Sequence, residues 1–182
     1  MNLVQYLFLL CILLLTACNP GQVILIREEE AVIKGEEPLP IELQQPYEQE
    51  LQAQAALTDY FQSLNQGKYE QAVELYGGSY DELAYFNPMI DPDERVDLLK
   101  AGCEFNGFMC LPVLSSVLVH VENQHEFTFD VEFSNPDGSL FVLGPCCGAT
   151  EEIMPPMSVF TINVRCDDAG RCLALDLPPY VL

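Results

Sequence analysis

The sequence changes its hydrophobic period near Cys110, and this change constrains the fold more than any other feature. Before Cys110, apolar residues recur every three to four positions, which is the period of an amphipathic helix. After it, apolar and polar residues alternate, as they do in a half-buried strand. A run of helices followed by a run of strands is typical of an α+β domain. We therefore expect three N-terminal helices packed on an antiparallel sheet of about five strands.

Three helices are predicted between residues 47 and 102. The first carries apolar side chains at helical spacing in a stretch without Gly or Pro, namely Leu51, Ala55, Leu57, Tyr60, Phe61 and Leu64. The second spans residues 68–76 and stops at Gly77 and Gly78. The third has Asp91 as its N-cap, Pro92 at its first position and Glu94 completing a capping box, and it should end at Gly102.

The clearest predicted strand is residues 125–133, with aromatic residues on one face and acidic residues or Thr on the other. The strand before it, residues 113–122, places three valines on one face: Val117, Val119 and Val121. If these valines share a face with the phenylalanines, Val121 must pair with His125. The connection is then a three-residue loop, because a slip of one residue would move the valines to the other face.

Two further hairpins follow. The sequence Asn-Pro-Asp-Gly at residues 135–138 suits a type I turn followed by a left-handed Gly138. This turn predicts two aligned pairs, Phe133 with Phe141 and Val131 with Leu143. Residues 158–166 and 171–177 are predicted to form the last hairpin around residues 168–170.

The first 17 residues have the composition of a secretory signal peptide. Their apolar run, residues 3–15, is too short for a transmembrane helix, which needs about 20 residues. The Leu-Thr-Ala-Cys at residues 15–18 resembles the bacterial lipobox at every position. The resemblance implies that Cys18 carries lipid and is the first residue of the mature protein. Two alternatives remain open, an ordinary signal peptide with an incidental Cys18 and an uncleaved anchor.

Residues 18–49 are predicted to be an acidic, proline-rich tether between the lipid and the domain at residues 50–182. They contain several Glu and four prolines and have little to bury, so like charges should keep the chain extended. One apolar exception, residues 23–26, could add an edge strand or touch the membrane interface. The predicted location is the bacterial cell envelope, with the domain outside the cytoplasm.

The charge of the chain excludes one large class of function. The formal net charge is -21, with 7 Lys and Arg against 28 Asp and Glu. Binding to nucleic acid requires clustered Lys and Arg to neutralise phosphates, so we expect no nucleic-acid partner. A polybasic patch for anionic lipid is also absent from the sequence. Most of the charge is explained by solubility and by mutual repulsion at a surface.

The eight cysteines suggest disulfides, because an exported chain meets an oxidising compartment. Two pairs are suggested by the sequence: Cys166 with Cys172, directly opposed across the last hairpin, and Cys103 with Cys110, which bracket a short loop. The neighbours Cys146 and Cys147 could form a vicinal disulfide, bind a metal as thiolates, or pair elsewhere. The spacing typical of a zinc site is missing, so we predict no metal and no cofactor.

The region after residue 47 resembles the nuclear transport factor two-like superfamily, also called SnoaL-like. The resemblance rests on the helix pair ALTDYFQSLNQGKYEQAVELY, a third short helix and the long antiparallel sheet that follows. It implies that the helices pack on the concave face of a curved sheet, forming a cone with an apolar pocket. The same cone hosts isomerases, dehydratases and binding modules, so the resemblance does not fix the function.

Two residues are candidates for a general base. Asp176 would lie opposite Ile162 on an apolar face, where burial raises the pKa of a carboxylate. A bulge would instead expose Asp176 and turn three leucines inward, namely Leu173, Leu175 and Leu177. His125 begins the aromatic strand on its core-facing side but lies close to a hairpin end.

Two functions therefore remain. The first is a non-catalytic, lipid-anchored module that binds a small apolar ligand or an envelope protein. The second is a pocket enzyme of isomerase or dehydratase type that uses Asp176 or His125. The two functions predict different interiors for the cone, because an interior filled with phenylalanine side chains would leave no room for a substrate.

Overall fold

A computed structural model describes the backbone of residues 41–181 and the side chains of residues 48–181. The predicted signal peptide, Cys18 and most of the predicted tether lie outside the described residues. The described part has four helices and one four-stranded antiparallel sheet, so its class is α+β. The helices are α1 (Ile41–Asn65), α2 (Tyr69–Leu75), α3 (Asp81–Phe86) and α4 (Arg95–Phe105). The strands are β1 (Val113–Asn123), β2 (Glu126–Phe133), β3 (Phe160–Cys166) and β4 (Cys172–Ala174).

Helix α1 is the longest element, and it begins before the predicted start near residue 47. The helix continues through Pro46, although proline has no N–H and its presence removes one backbone hydrogen bond. The buried stripe is Ala53, Leu57, Tyr60, Phe61 and Leu64. Leu51 and Ala55, which were expected in this stripe, are exposed. Gly67 ends the helix with a φ of 68°, and the Lys68 N–H donates to the Ser63 carbonyl at 2.9 Å.

Helices α3 and α4 differ from the prediction. Helix α3 was not predicted, because its six residues are too few to show a helical period. The predicted capping box is wrong: α4 begins at Arg95, and the Asp91 carboxylate accepts a hydrogen bond from the Asp93 N–H at 3.0 Å in a turn before the helix. Helix α4 also continues through Gly102. A Cβ at this glycine would lie 2.6 Å from Leu83 Cδ2, so the missing side chain lets α3 pack closely against α4.

The alternating strand is confirmed. Along β2 every second residue is buried, and the inward side chains are Phe127, Phe129, Val131 and Phe133. They face α1, whose residues Leu57 and Phe61 are fully buried in the same core. Strand β3 alternates in the same way, with Phe160, Ile162, Val164 and Cys166 directed inward. The core therefore lies between the helices and one face of the sheet.

The predicted register of β1 is wrong. Val121 pairs with Phe127 and not with His125, and the pairing shifts at three places along the strand. These irregularities place extra residues in β1, and each extra residue changes the face on which the following side chains lie. Leu118 takes the position opposite Phe129 and packs against the core. The three valines expected in the core are exposed by 61%, 51% and 45% at Val117, Val119 and Val121.

The turn at residues 135–138 is confirmed, whereas the strand expected after it is wrong. Gly138 has a φ of 85°, and its N–H donates to the Asn135 carbonyl at 2.9 Å. The Phe141 N–H donates to the Phe133 carbonyl, as the predicted alignment requires. The chain then leaves β2, so the expected pairing of Val131 with Leu143 is wrong. Val131 pairs with Phe160 of β3, and Leu143 forms an isolated bridge with Met157.

The last hairpin has the predicted register at its turn. Cys166 lies opposite Cys172, and Val164 lies opposite Ala174. Strand β4 ends at Ala174, before the predicted pairing of Ile162 with Asp176 is reached.

Among residues 41–181, no helix combines the length and apolarity needed to cross a membrane.

Candidate functional site

The inner face of the sheet is filled with aromatic side chains. Five phenylalanines are at most 8% exposed there: Phe127, Phe129, Phe133, Phe141 and Phe160. Phe133 lies at the centre of this cluster, with ring centroids 4.8 Å from Phe61 of α1 and 5.6 Å from Phe160. Phe160 stacks in turn on Phe141 at 5.9 Å. The side chains expected to line an apolar pocket instead pack against one another and against α1.

Asp176 lies just beyond the end of β4 and is half-buried. Its Oδ2 atom accepts two hydrogen bonds from Asn163, one from the backbone N–H at 2.6 Å and one from Nδ2 at 3.0 Å. The Leu175 N–H donates to the Asn163 carbonyl at 2.8 Å. The carboxylate therefore takes the place of the backbone acceptor that a longer β4 would present to β3. These contacts give Asp176 a structural role at the end of the sheet.

Three tyrosines form a cluster close to Asp176 that the sequence did not reveal. The rings of Tyr60 and Tyr76 stack at 5.3 Å, and Tyr80 lies edge-on to Tyr76 at 5.1 Å. Burial raises the pKa of all three phenols, and the negative charge of Asp176 raises the pKa of Tyr60 and Tyr76 further. The hydroxyls of Tyr60 and Tyr80 are buried without a hydrogen-bond partner among the described residues. The residues come from α1, from the residue after α2 and from the residue before α3, so no local pattern connects them.

His125 lies in the turn between β1 and β2, on the rim of an open cleft of about 430 Å³. Its Nε2 atom is 3.4 Å from an oxygen of Asp168, whose side chain is fully exposed. The rest of the rim is formed by Asn123, Glu126, Arg165, Cys166 and Asp167. A pair exposed in this way contributes little energy, and the open rim does not exclude water. Asp176 does not line this cleft, so the two candidate bases lie in different places.

A second, smaller cleft of about 170 Å³ adjoins the first at residues 165–167. Its other lining residues are Gly77, Arg171, Leu173 and Leu175. Two ion pairs border the two clefts: Arg165 binds Glu126 at 3.0 Å, and Arg171 lies 3.8 Å from Glu74. The hydrogen bond from Arg165 is the largest cause of a lowered pKa at Glu126.

Both predicted disulfides are present. Cys103 is bonded to Cys110, and Cys166 is bonded to Cys172. The first bridge joins α4 to the segment before β1, and the second closes the β3–β4 hairpin. Cys146 and Cys147 are not bonded. Within residues 48–181, no three His, Cys, Asp or Glu side chains gather closely enough to hold a metal ion.

Strand β1 forms an exposed apolar surface at one edge of the sheet. The sheet order is β1-β2-β3-β4, so within the described residues β1 pairs on one side only. Its exposed apolar residues are Leu114, Val117, Val119 and Val121. We call these four residues and the adjoining strand edge the β1 edge surface. The Gln54 amide of α1 donates to the Ser116 carbonyl at 3.1 Å and occupies one acceptor of the strand.

The sheet face next to the β1 edge surface is acidic. Val117 lies directly opposite Asp130, and Ser115 lies opposite Glu132. The Ser115 hydroxyl donates to Glu132 at 2.8 Å, and the Thr161 hydroxyl donates to Asp130 at 3.2 Å. Cationic side chains do not pair with these two carboxylates among the described residues. Val117 therefore shares a sheet face with the carboxylates, whereas Val121 lies opposite Phe127 on the other face.

The chain was compared with protein-family models, with curated protein sequences and with solved structures, and none of the three comparisons gives a match.

Proposed function

We propose that this chain is a lipid-anchored, non-catalytic binding module of the bacterial cell envelope. In this proposal, residues 1–17 are removed as a signal peptide and Cys18 carries the lipid. Residues after Cys18 then link the membrane to an α+β domain of the nuclear transport factor two-like type. The order of four helices and an antiparallel sheet supports that architecture. The two disulfides support an oxidising compartment, because such bonds are rare in a reducing cytosol.

The filled core favours a binding module over the alternative of a pocket enzyme. An isomerase or dehydratase acting on an apolar substrate needs an enclosed apolar cavity of about 300–1,000 Å³. Phe129 and Phe133 are fully buried where that cavity would lie. The larger cleft is open and lined mainly by charged residues, and the smaller cleft of about 170 Å³ is below the size that such a substrate needs. The same observations argue against a small apolar ligand, so a partner protein is the occupant that we propose.

The observation that carries this proposal is the exposure of the β1 edge surface. A long apolar edge strand is a liability, because its free N–H and C=O groups can pair with another chain. Edge strands in water are commonly protected by charged residues, proline or β-bulges. Strand β1 has irregular pairing of this last kind, yet Val117, Val119 and Val121 are exposed. An extended segment of a partner could pair with β1 and cover these valines, which is recognition by strand addition.

The charge of the domain limits the kind of partner. The chain carries a formal net charge of -21, and Asp130 and Glu132 lie beside the β1 edge surface. Complementary charge steers association and disfavours wrong partners. The segment that pairs with β1 should therefore be apolar where it meets the valines and carry Lys or Arg where it approaches these carboxylates.

The partner can be identified by photocrosslinking in intact cells. A photoreactive phenylalanine analogue is placed at Val119 in one strain and at Val142 in another. Val142 is the matched control for Val119, because the two valines are 50% and 51% exposed. We expect a discrete adduct with an envelope protein from position 119 and none from position 142. Equal labelling at both positions, or an adduct only with a second copy of this chain, would contradict the proposal.

The lipid anchor has its own test. Cells expressing the full chain are labelled with a fatty-acid precursor, and the label is followed in Cys18→Ala and Cys11→Ala. Cys11 is the matched control, because it lies in the apolar run of the same predicted signal peptide. We expect the label to be lost only in Cys18→Ala. Labelling that survives in this variant would refute lipidation at Cys18.

A further inference from the structure

The turn that carries Cys146 and Cys147 has an unusual backbone. The Ala149 N–H donates to the Cys146 carbonyl at 2.9 Å, which closes a four-residue turn. Its central residues, Cys147 and Gly148, have φ values of 59° and 83°. Positive φ at both central residues defines a type I′ turn, which favours Gly, Asn or Asp at these positions. Cys147 is the single non-glycine residue with positive φ in the described part of the chain.

This conformation brings the two thiols together. The sulfurs of Cys146 and Cys147 are 2.9 Å apart, and the Cys147 thiol donates to the Cys146 sulfur. A disulfide bond is about 2.0 Å long, so joining the sulfurs requires them to approach each other and the backbone of the turn to adjust. Cys147 is exposed and Cys146 is half-buried, so an external molecule can reach the pair. An unfavourable backbone conformation costs free energy, and residues that adopt one cluster at functional sites, where the strain is part of the mechanism.

The segment that contains the turn, residues 144–156, is held at both ends by backbone hydrogen bonds. Leu143 and Met157 exchange two backbone hydrogen bonds, at 2.8 and 2.9 Å. The Ile153 and Met154 N–H groups both donate to the Thr150 carbonyl, which forms a second turn after Ala149. Oxidation of the pair can therefore be accommodated within residues 144–149 without breaking the pairing of Leu143 with Met157.

We propose that Cys146 and Cys147 form a thiol–disulfide exchange pair whose substrates are external disulfides. The Cys146 thiolate attacks one sulfur of a disulfide RSSR, forming a Cys146–SR bond, breaking the S–S bond of RSSR and releasing RS⁻. The Cys147 thiolate then attacks the Cys146 sulfur, forming the Cys146–Cys147 bond and releasing the second RS⁻. The two thiol protons of the pair pass to the two released thiolates. The pair loses two electrons, and the external disulfide gains them.

The order of attack follows from the hydrogen bond between the two sulfurs. The Cys147 thiol donates it, so the proton of Cys147 is directed at the Cys146 sulfur. The same bond is the largest cause of the raised pKa of Cys147, which keeps that thiol protonated until the mixed disulfide has formed. Only a thiolate is a nucleophile in this exchange. Cys146 is therefore the attacking residue, and Cys147 is the resolving residue.

The proposal is tested on the full chain in detergent with mixtures of oxidised and reduced glutathione. Free thiols are alkylated at equilibrium, and fragments that contain each cysteine are identified by mass spectrometry. We expect the Cys146–Cys147 fragment to pass reversibly between a dithiol and an internal disulfide as the mixture becomes more oxidising. The bridges Cys103–Cys110 and Cys166–Cys172 should remain intact throughout. A pair that stays reduced, stays oxidised or crosslinks two chains at every mixture would overturn the proposal.

Three variants test the assignment of roles. Cys147→Ser keeps a hydrogen-bond donor beside the Cys146 sulfur, whereas Cys147→Ala removes it. We expect both variants to stop at the mixed disulfide with glutathione, with Cys147→Ser forming it several-fold faster than Cys147→Ala. Cys146→Ser should form the mixed disulfide more slowly than Cys147→Ser. Equal rates in all three variants would show that the hydrogen bond does not select Cys146 and would overturn the assignment.

Discussion

The Asp176 carboxylate ends the sheet by accepting two hydrogen bonds from Asn163, at 2.6 Å from the backbone N–H and at 3.0 Å from Nδ2. Strand β4 has only three residues and ends at Ala174. The Asn163 N–H of β3 therefore finds its acceptor in the Asp176 side chain and not in the backbone of β4. These two hydrogen bonds satisfy the half-buried Asp176 carboxylate beside an apolar strand.

Removing this carboxylate should weaken the end of the sheet. We expect Asp176→Ala to lower the free energy of unfolding by about 1 kcal/mol, because the Asn163 N–H loses its acceptor. Asp176→Asn keeps an oxygen acceptor and should lose less. Urea unfolding followed by circular dichroism measures both variants. Equal stability of Asp176→Ala and the unchanged protein would contradict this role.

Phe133 is predicted to be the most important side chain of the aromatic cluster. It is fully buried and contacts both Phe61 and Phe160. We expect Phe133→Ala to cost about 3–5 kcal/mol, because it leaves a cavity that the neighbours fill only in part. Phe105→Ala removes a ring that is 77% exposed and should change stability by less than about 0.5 kcal/mol. Similar losses for the two variants, measured by denaturant unfolding, would mean that the core is assigned incorrectly.

Gly78 is predicted to tolerate no side chain. A Cβ there would overlap the Leu175 carbonyl oxygen and lie 2.5 Å from the hydroxyl of Tyr76. We expect Gly78→Ala to destabilise the domain by about 1–3 kcal/mol, because backbone and a packed ring must both move. Gly144→Ala is the control, since a Cβ at Gly144 meets nothing within 4 Å. Thermal unfolding of the two variants should separate them clearly, and a stable Gly78→Ala would refute the close approach of Leu175.

The tyrosine cluster predicts a loss of stability at high pH. Burial raises the pKa of Tyr80 from its ordinary value of 10.0 to about 12, although Arg95 above the ring lowers it in part. Between these two pH values the unfolded chain releases the proton first and so binds fewer protons than the folded chain. Stability therefore falls as pH rises above 10, and the fall continues to about pH 12.

Variants should reveal which phenol is responsible. We expect a smaller alkaline loss of stability in Tyr80→Phe, measured as the unfolding free energy across this pH range. Tyr85→Phe should behave like the unchanged protein, because the side chain of Tyr85 is 80% exposed. An alkaline loss that is identical in Tyr80→Phe and the unchanged protein would exclude Tyr80 as its source.

Local patterns predicted the elements whose period and turn chemistry are regular. The alternation along β2, the turn that ends with Gly138 and the opposition of Cys166 to Cys172 all follow from neighbours in sequence. The class and the two disulfides follow from the same signals.

The errors arise where a tertiary contact overrides a local pattern. The exposure of Val119 follows from irregular pairing in β1, which sequence alternation cannot reveal because it assumes a constant register. Gly102 lies inside helix α4 and does not end it, and the absence of a side chain at this glycine leaves room for Leu83 of α3. The candidate site depends on contacts of the same kind. The hydrogen bonds between Asp176 and Asn163, and the proximity of Tyr60 to Tyr80, join residues that are distant in sequence.

The most direct test of the account is the affinity of the crosslinked partner for Val119→Lys and Val142→Lys. Burial of one valine contributes about 1.5–3 kcal/mol, and tenfold in affinity corresponds to about 1.4 kcal/mol. We predict that Val119→Lys weakens binding by about tenfold or more, whereas Val142→Lys leaves it unchanged. Binding to the unchanged domain should also weaken as salt is added, because the carboxylates beside β1 are solvent-accessible. Equal affinity for the two lysine variants would contradict the assignment of the β1 edge surface as the binding site.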